Sequence, residues 1–224
     1  MLNRLFSTIK RGFKKIGKCG YTLIEVTAVV AITSTLAAVV IPVAVDKMRD
    51  GKKAGALEEC KYIGTAILAF YKDSGEWPAR KGASANFYQF LRSGEQSGDL
   101  FGATNDPISG IALPTGYTTD DDIDLLQNHL VLDKPGTVVN DYKTKKVNWK
   151  GPYVTDLAGK RDPWGNNYIV YVKPMYTPDV SSAPPYGWVL SAGPNNKLET
   201  NITDGSPKGD DIGFMTASDH GKPQ

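Results

Sequence analysis

The chain has few of the residues that most chemistry requires. Two cysteines and two histidines are all that its 224 residues contain. Cys19 and Cys60 do not form a metal-type pair. Neither His129 nor His220 has a nucleophile at a known catalytic spacing, and His220 sits in a tail of Ser, Asp, Gly, Lys and Pro. There is no G-x-S-x-G, no phosphate-cradling glycine motif and no H-E-x-x-H. The expectation is a protein that is not an enzyme. Acid is also missing where it would matter most. Residues 1–20 hold Arg4, Lys10, Arg11, Lys14, Lys15 and Lys18 and no Asp or Glu. Of the 26 basic residues those six belong to this segment, so the remainder is mildly acidic, 20 basic against 24 acidic. A nucleic-acid-binding surface is not expected of such a remainder.

What is present begins at Tyr21. The run YTLIEVTAVVAITSTLAAVVIPVAV reaches Val45 with one ionisable residue, Glu25. As a helix its 25 residues extend about 37 Å, enough for a hydrocarbon layer of about 30 Å. The basic flank precedes the run, which keeps the leader in the cytoplasm and sends the C-terminal part across the membrane. An ordinary secretory signal fits the apolar stretch, with Ala37 and Ala38 as small residues at the cut. So does a single-pass anchor. Neither explains Glu25, because a lone carboxylate in the bilayer costs about 3 kcal/mol on insertion scales. Cleavage between Gly20 and Tyr21 does explain it. The new α-amino group would lie four residues before Glu25, and a cation beside a carboxylate in low dielectric attracts strongly. An amine from a neighbouring subunit would set the register of assembly.

The segment KCGYTLIEV resembles the processing motif of type IV pilins and type II secretion pseudopilins. The resemblance implies a prepilin peptidase that cuts after Gly20 and N-methylates Tyr21, and it makes Glu25 the assembly residue. Tyr21 departs from the family's usual Phe or Met, though it is still aromatic. Pro42 matches a helix-kinking proline common in the family; proline removes one helix hydrogen bond and permits local melting.

Past the apolar run, Leu57, Cys60, Ile63, Ile67 and Phe70 recur at spacings of three and four. That is an amphipathic stripe, read here as the contact of one helix with a globular core. Cys60 within it is expected to pack as a small apolar residue. The helix is expected to end at Asp73-Ser74-Gly75, where glycine can close the last turn. Glu76-Trp77-Pro78 then opens an irregular region to about Trp149, rich in Gly, Ser and Asn. Within it Asp121 to Leu132 reads as a short helix, with Ile123, Leu126, Leu130 and Val131 inward and acids at its start. A calcium-loop reading of Asp120 to Val131 fails, because its sixth residue is Leu125 and its twelfth Val131.

From Asn148 the sequence reads NWKGPYVTDLAGKRDPWGNNYIVYV. Asp162-Pro163-Trp164-Gly165 is good turn chemistry, with Trp164 expected to pack under the turn. Tyr168 to Lys173 and Trp188 to Ser191 read as strands. This stretch is similar to one in the major pseudopilin of type II secretion. The same resemblance implies calcium in the following loop, LSAGPNNKLETNITDGSPKGDDIGFM. The candidate ligands are Asn195, Leu198, Asp210 and Asp211. Asn195 stands where the family has Asp, so the site has one charge fewer. The stretch from Asn195 to Asp210 is also longer than the family's.

Taken together, the expected fold is α+β and pilin-like: a long N-terminal helix, half of it transmembrane, packed on a small antiparallel sheet. The expected divisions are a cleaved leader (1–20), a membrane and assembly half of the helix (21–45), its amphipathic half (46–75), a variable region (76–147) and a C-terminal sheet and loop region (148–224). The resemblance covers about 1–75 and 148–215. It implies a subunit of a type II secretion pseudopilus, held in the inner membrane with its C-terminal domain in the periplasm and then polymerised. Its partners would be copies of itself, minor pseudopilins, prepilin peptidase and the inner-membrane assembly platform. Two other readings stay open: a type IV pilin forming surface fibres, and a soluble periplasmic protein released near Ala37 or Ala38.

Overall fold

The computed structural model describes residues 20–82, 87–94, 123–137, 141–144, 147–176, 186–201, 204–218 and 222–223. The basic residues of the leader and the acids Asp120 to Asp122 lie outside them. The chain divides into two units, residues 1–47 and 48–224.

The first helix, α1, runs Leu23–Ser74. Its end is built by local chemistry. Gly75 takes φ 73°, a left-handed conformation glycine adopts without steric cost, and its N–H donates to the Tyr71 carbonyl at 2.8 Å. The Ser74 hydroxyl donates to the Phe70 carbonyl at 2.7 Å, which satisfies another carbonyl of the last turn.

In the second unit, the α1 residues Cys60, Ile63, Ala66, Ile67 and Phe70 are buried, and Leu57 is half-buried. They pack against one face of a six-stranded sheet. The strands are β1 (Phe90–Arg92), β2 (Ile123–Leu125), β3 (Ile169–Tyr171), β4 (Gly187–Ser191), β5 (Ile212–Ser218) and the two-residue β6 (Lys222–Pro223). Their order in space is β2-β1-β3-β4-β5-β6. All neighbours are antiparallel except β1 and β2, which pair in parallel with Phe90 opposite Ile123. The fold class is thus α+β as expected, but the sheet is mixed rather than antiparallel.

Strand periodicity of two sorts the side chains onto the two faces. Leu91, Val170 and Val189 join the cluster with α1. Phe90, Ile169, Tyr171, Trp188 and Leu190 join a second cluster with Ala192 and Leu198. Both faces are therefore covered, and this is why β3 reads Ile-Val-Tyr with every residue buried.

Two expected elements differ. The stretch read as a helix from Asp121 is strand β2 followed by a five-residue helix, α2 (Leu126–Leu130). Asp124 accounts for the break. Its carboxylate accepts from the Leu125 and Gly136 N–H groups at 2.7 and 2.9 Å, so the side chain ties the strand to the returning loop. The strand expected through Lys173 stops at Tyr171, and Lys173 opens the short helix α4 (Lys173–Tyr176).

Candidate assembly helix and acidic loop

Gly20 and Tyr21 precede α1 and are exposed. Thr22 and Glu25 form a reciprocal cap. The Thr22 N–H and hydroxyl both donate to Glu25 Oε2 at 2.8 Å, and the Glu25 N–H donates to Thr22 Oγ1 at 3.3 Å. This is a capping box, legible in T-x-x-E but overlooked when Glu25 is read only for its charge. It gives Glu25 a local role in starting the helix. It also holds the carboxylate at the helix N-terminus.

Beyond the cap, the apolar residues of the segment are exposed in the isolated chain, among them Val29, Ile32, Leu36, Val39 and Ile41. The hydroxyls within it are internally satisfied. Thr27, Thr33, Ser34 and Thr35 donate to carbonyls three or four residues back. Such hydroxyls carry no unmet hydrogen bond into an apolar medium. Pro42 lies within α1, where it has no N–H to give to the preceding turn. The helix is long and apolar enough to cross a membrane.

The C-terminal loop is held by a separate set of contacts. At Asp162-Pro163-Trp164-Gly165, Asp162 Oδ1 accepts from the N–H groups of Trp164 and Asn166 at 3.0 and 2.8 Å. Its Oδ2 accepts from the Ser191 hydroxyl at 2.7 Å. Gly165 takes φ 96°, as the turn requires. Trp164 is half-buried and belongs to neither core cluster, so the turn is centred on buried Asp162 rather than on the indole. Asn166 then donates to the Asn196 side chain at 2.8 Å. Asn196 is itself left-handed, with φ 59°. The turn and the acidic loop are thereby locked together.

Within that loop the four candidate ligands are close in structure. The Asn195 N–H donates to Asp210 Oδ2 at 3.1 Å. Asp211 Oδ2 accepts from the Glu199 and Thr200 N–H groups at 2.9 and 2.7 Å. Leu198 stands apart in character: its side chain is buried in the second core cluster, so only its backbone carbonyl can serve as a ligand. Gly193 has φ 63°, and the Asp210 carbonyl occupies the space a Cβ there would need. Burial raises the Asp211 carboxyl. Hydrogen bonds from Thr200 and Glu199 oppose that shift, and the nearby Glu199 charge adds to it.

The donor set tests in two directions against calcium. Asp210 Oδ1 and Asp211 Oδ1 are buried without a hydrogen-bond partner, as oxygens reserved for a cation would be. On the other side, Asn195 Oδ1 already accepts from the Lys197 N–H at 2.7 Å. Among the described residues no group of three or more His, Cys, Asp or Glu side chains gathers to hold a metal. A hard cation there would rest on these two carboxylates, and the described side chains form no all-carboxylate cage.

No protein-family model matches the chain, and no curated protein or solved structure matches it.

Proposed function

We propose that this chain is a pilin-like structural subunit: made as a precursor, cut between Gly20 and Tyr21, and polymerised through α1 into the pseudopilus of a type II secretion system. The observation that carries the reading is the pairing of an apolar, solvent-exposed helix with a single carboxylate, Glu25, five residues past a basic leader ending in Gly20. The cap with Thr22 gives that acid a local role, and its place beside the amino end left by cleavage gives it a second one that a passive anchor does not use. In a filament the exposed apolar side chains bury one another, and close packing replaces lipid contacts. Glu25 then meets the α-amino group of a neighbour, so a mismatched register leaves a buried charge unpaired.

The assignment to secretion rather than to surface fibres rests on the Asp162-Pro163-Trp164-Gly165 turn and the acidic loop it supports. In this reading Asp210 and Asp211 hold calcium with the Asn195 amide oxygen and the Leu198 carbonyl, and the ion rigidifies the loop. The role is structural and not catalytic.

Mass spectrometry of the mature protein tests the processing step. The expected N-terminus is N-methylated Tyr21, and a start near Val39 overturns the proposal. Glu25→Ala is expected to be cut normally and to form no filaments; normal filaments from that variant sink the role given to the carboxylate. Short periplasmic filaments distinguish secretion from long surface fibres.

A further inference from the structure

A second pair of acids lies far from the C-terminal loop in sequence, within the stretch that the family resemblance leaves unmatched. Asp133 follows α2, and Asp141 opens the short helix α3 (Asp141–Thr144). Asp133 is 1% exposed and Asp141 2%. Asp133 Oδ1 accepts from the Tyr142 N–H at 2.9 Å, which brings the two acids together. Asp133 Oδ2 and Asp141 Oδ2 are both buried with no hydrogen-bond partner. Among the described residues neither acid is in an ion pair. Lys143 sits over the Trp149 ring at 4.6 Å.

A buried carboxylate oxygen left without a partner carries a desolvation cost, and here two acids each leave one. The missing partner is therefore either a shared proton or a cation. Each acid has one oxygen without a hydrogen-bond partner, and among the described residues no group of three or more His, Cys, Asp or Glu side chains gathers there. That donor chemistry favours a hard divalent ion completed by backbone carbonyls and water.

We propose that Asp133 and Asp141 form a calcium site of their own, which fastens the segment after α2 to the start of α3. It would clamp this segment independently of the acidic loop around Asp210, and it does not depend on the chain's forming a filament.

The test uses the full chain in detergent, with Ca²⁺ alone as the probe. Hydrogen exchange followed by mass spectrometry compares 1 mM Ca²⁺ with EDTA. Peptides covering 131–144 are expected to exchange at least about fivefold more slowly with calcium, because binding only the closed form lowers the open population. The Asp210→Asn/Asp211→Asn chain is expected to keep that protection. Adding Asp133→Asn and Asp141→Asn is expected to abolish it. Asn preserves the shape of each side chain, and the wild-type exchange pattern localises the effect without any variant. Protection confined to residues 193–211 overturns the proposal. So does a calcium-insensitive wild type that gains stability as pH falls, which assigns the pair a shared proton instead. A wild-type chain that forms no filaments while 131–144 is protected refutes the assembly reading and leaves this site standing.

Discussion

At the scale of single residues, the most consequential group outside the two loops is a buried relay in the second unit. His129 Nε2 contacts Asp124 Oδ2 at 3.1 Å, and His129 Nδ1 contacts the Tyr142 hydroxyl at 2.6 Å. All three side chains are buried. The arrangement is a polar brace between β2, α2 and α3, and Tyr142 carries it to α1 through an edge-on contact with Phe70 at 5.0 Å. Burial by itself raises the Asp124 carboxyl. The His129 ring, together with the Gly136 and Leu125 N–H groups, outweighs burial and holds it below the usual carboxylate range. A depressed folded-state value means that ionised Asp124 stabilises the fold above its unfolded pKa of about 3.9. The contribution fades as pH falls through the folded value. Asp124→Asn is expected to cost about 2–3 kcal/mol at pH 7, and the gap to wild type should narrow below about pH 4. Urea titrations of both chains at pH 7 and pH 3.5 check this; a gap that widens in acid contradicts it. None of this was legible in the sequence. His129 is a lone histidine there, five residues from Asp124 and thirteen from Tyr142, and only the fold makes them neighbours.

At the scale of elements, legibility followed range. The stripe from Leu57 to Phe70 and the stop at Gly75 are local signals with a 3.6-residue period, and α1 reproduces them. The Trp188 strand was legible for the same reason, as a short β-rich run next to a turn. Strand β2 was not. Its three residues are too few to show a period, and its partner β1 is about thirty residues away, so a parallel pair leaves no local mark. The closeness of α1 to the sheet was equally hidden. Gly64 is buried, and the Phe214 ring of β5 occupies the space a Cβ there would need, with Thr216 Cγ2 at 3.1 Å from the same point. Gly64 is thus a contact glycine, even though it sits mid-helix where glycine costs about 1 kcal/mol relative to alanine. Gly64→Val is expected to destabilise the second unit by about 1–3 kcal/mol through overpacking. Combining it with Phe214→Ala should cost less than the two single changes added together, because the clash is removed. Strict additivity in thermal melts refutes the contact.

At the scale of the whole molecule, the two units follow different solvent logic. In residues 48–224 both sheet faces are covered, one by the α1 residues from Cys60 to Phe70 and the other by the Leu198 loop. Lys160 adds an ion pair to Glu59 of α1 at 2.9 Å, again within this unit. The described part of residues 1–47 has the reverse character: its large apolar side chains are exposed, while its hydroxyls and its cap are satisfied internally. A sequence shows that contrast readily, since hydropathy is local. It does not show which half carries the stability. Every residue of both core clusters lies after Lys47. A chain beginning at Met48 is therefore expected to fold, to melt in one cooperative transition within about 2 °C of the longer chain in detergent, and to elute as a monomer without detergent. Circular dichroism and size-exclusion chromatography measure both. Aggregation or a non-cooperative melt of the shortened chain would mean that the apolar half supports the fold as well as assembly, and the division of labour between the two halves of α1 would have to be given up.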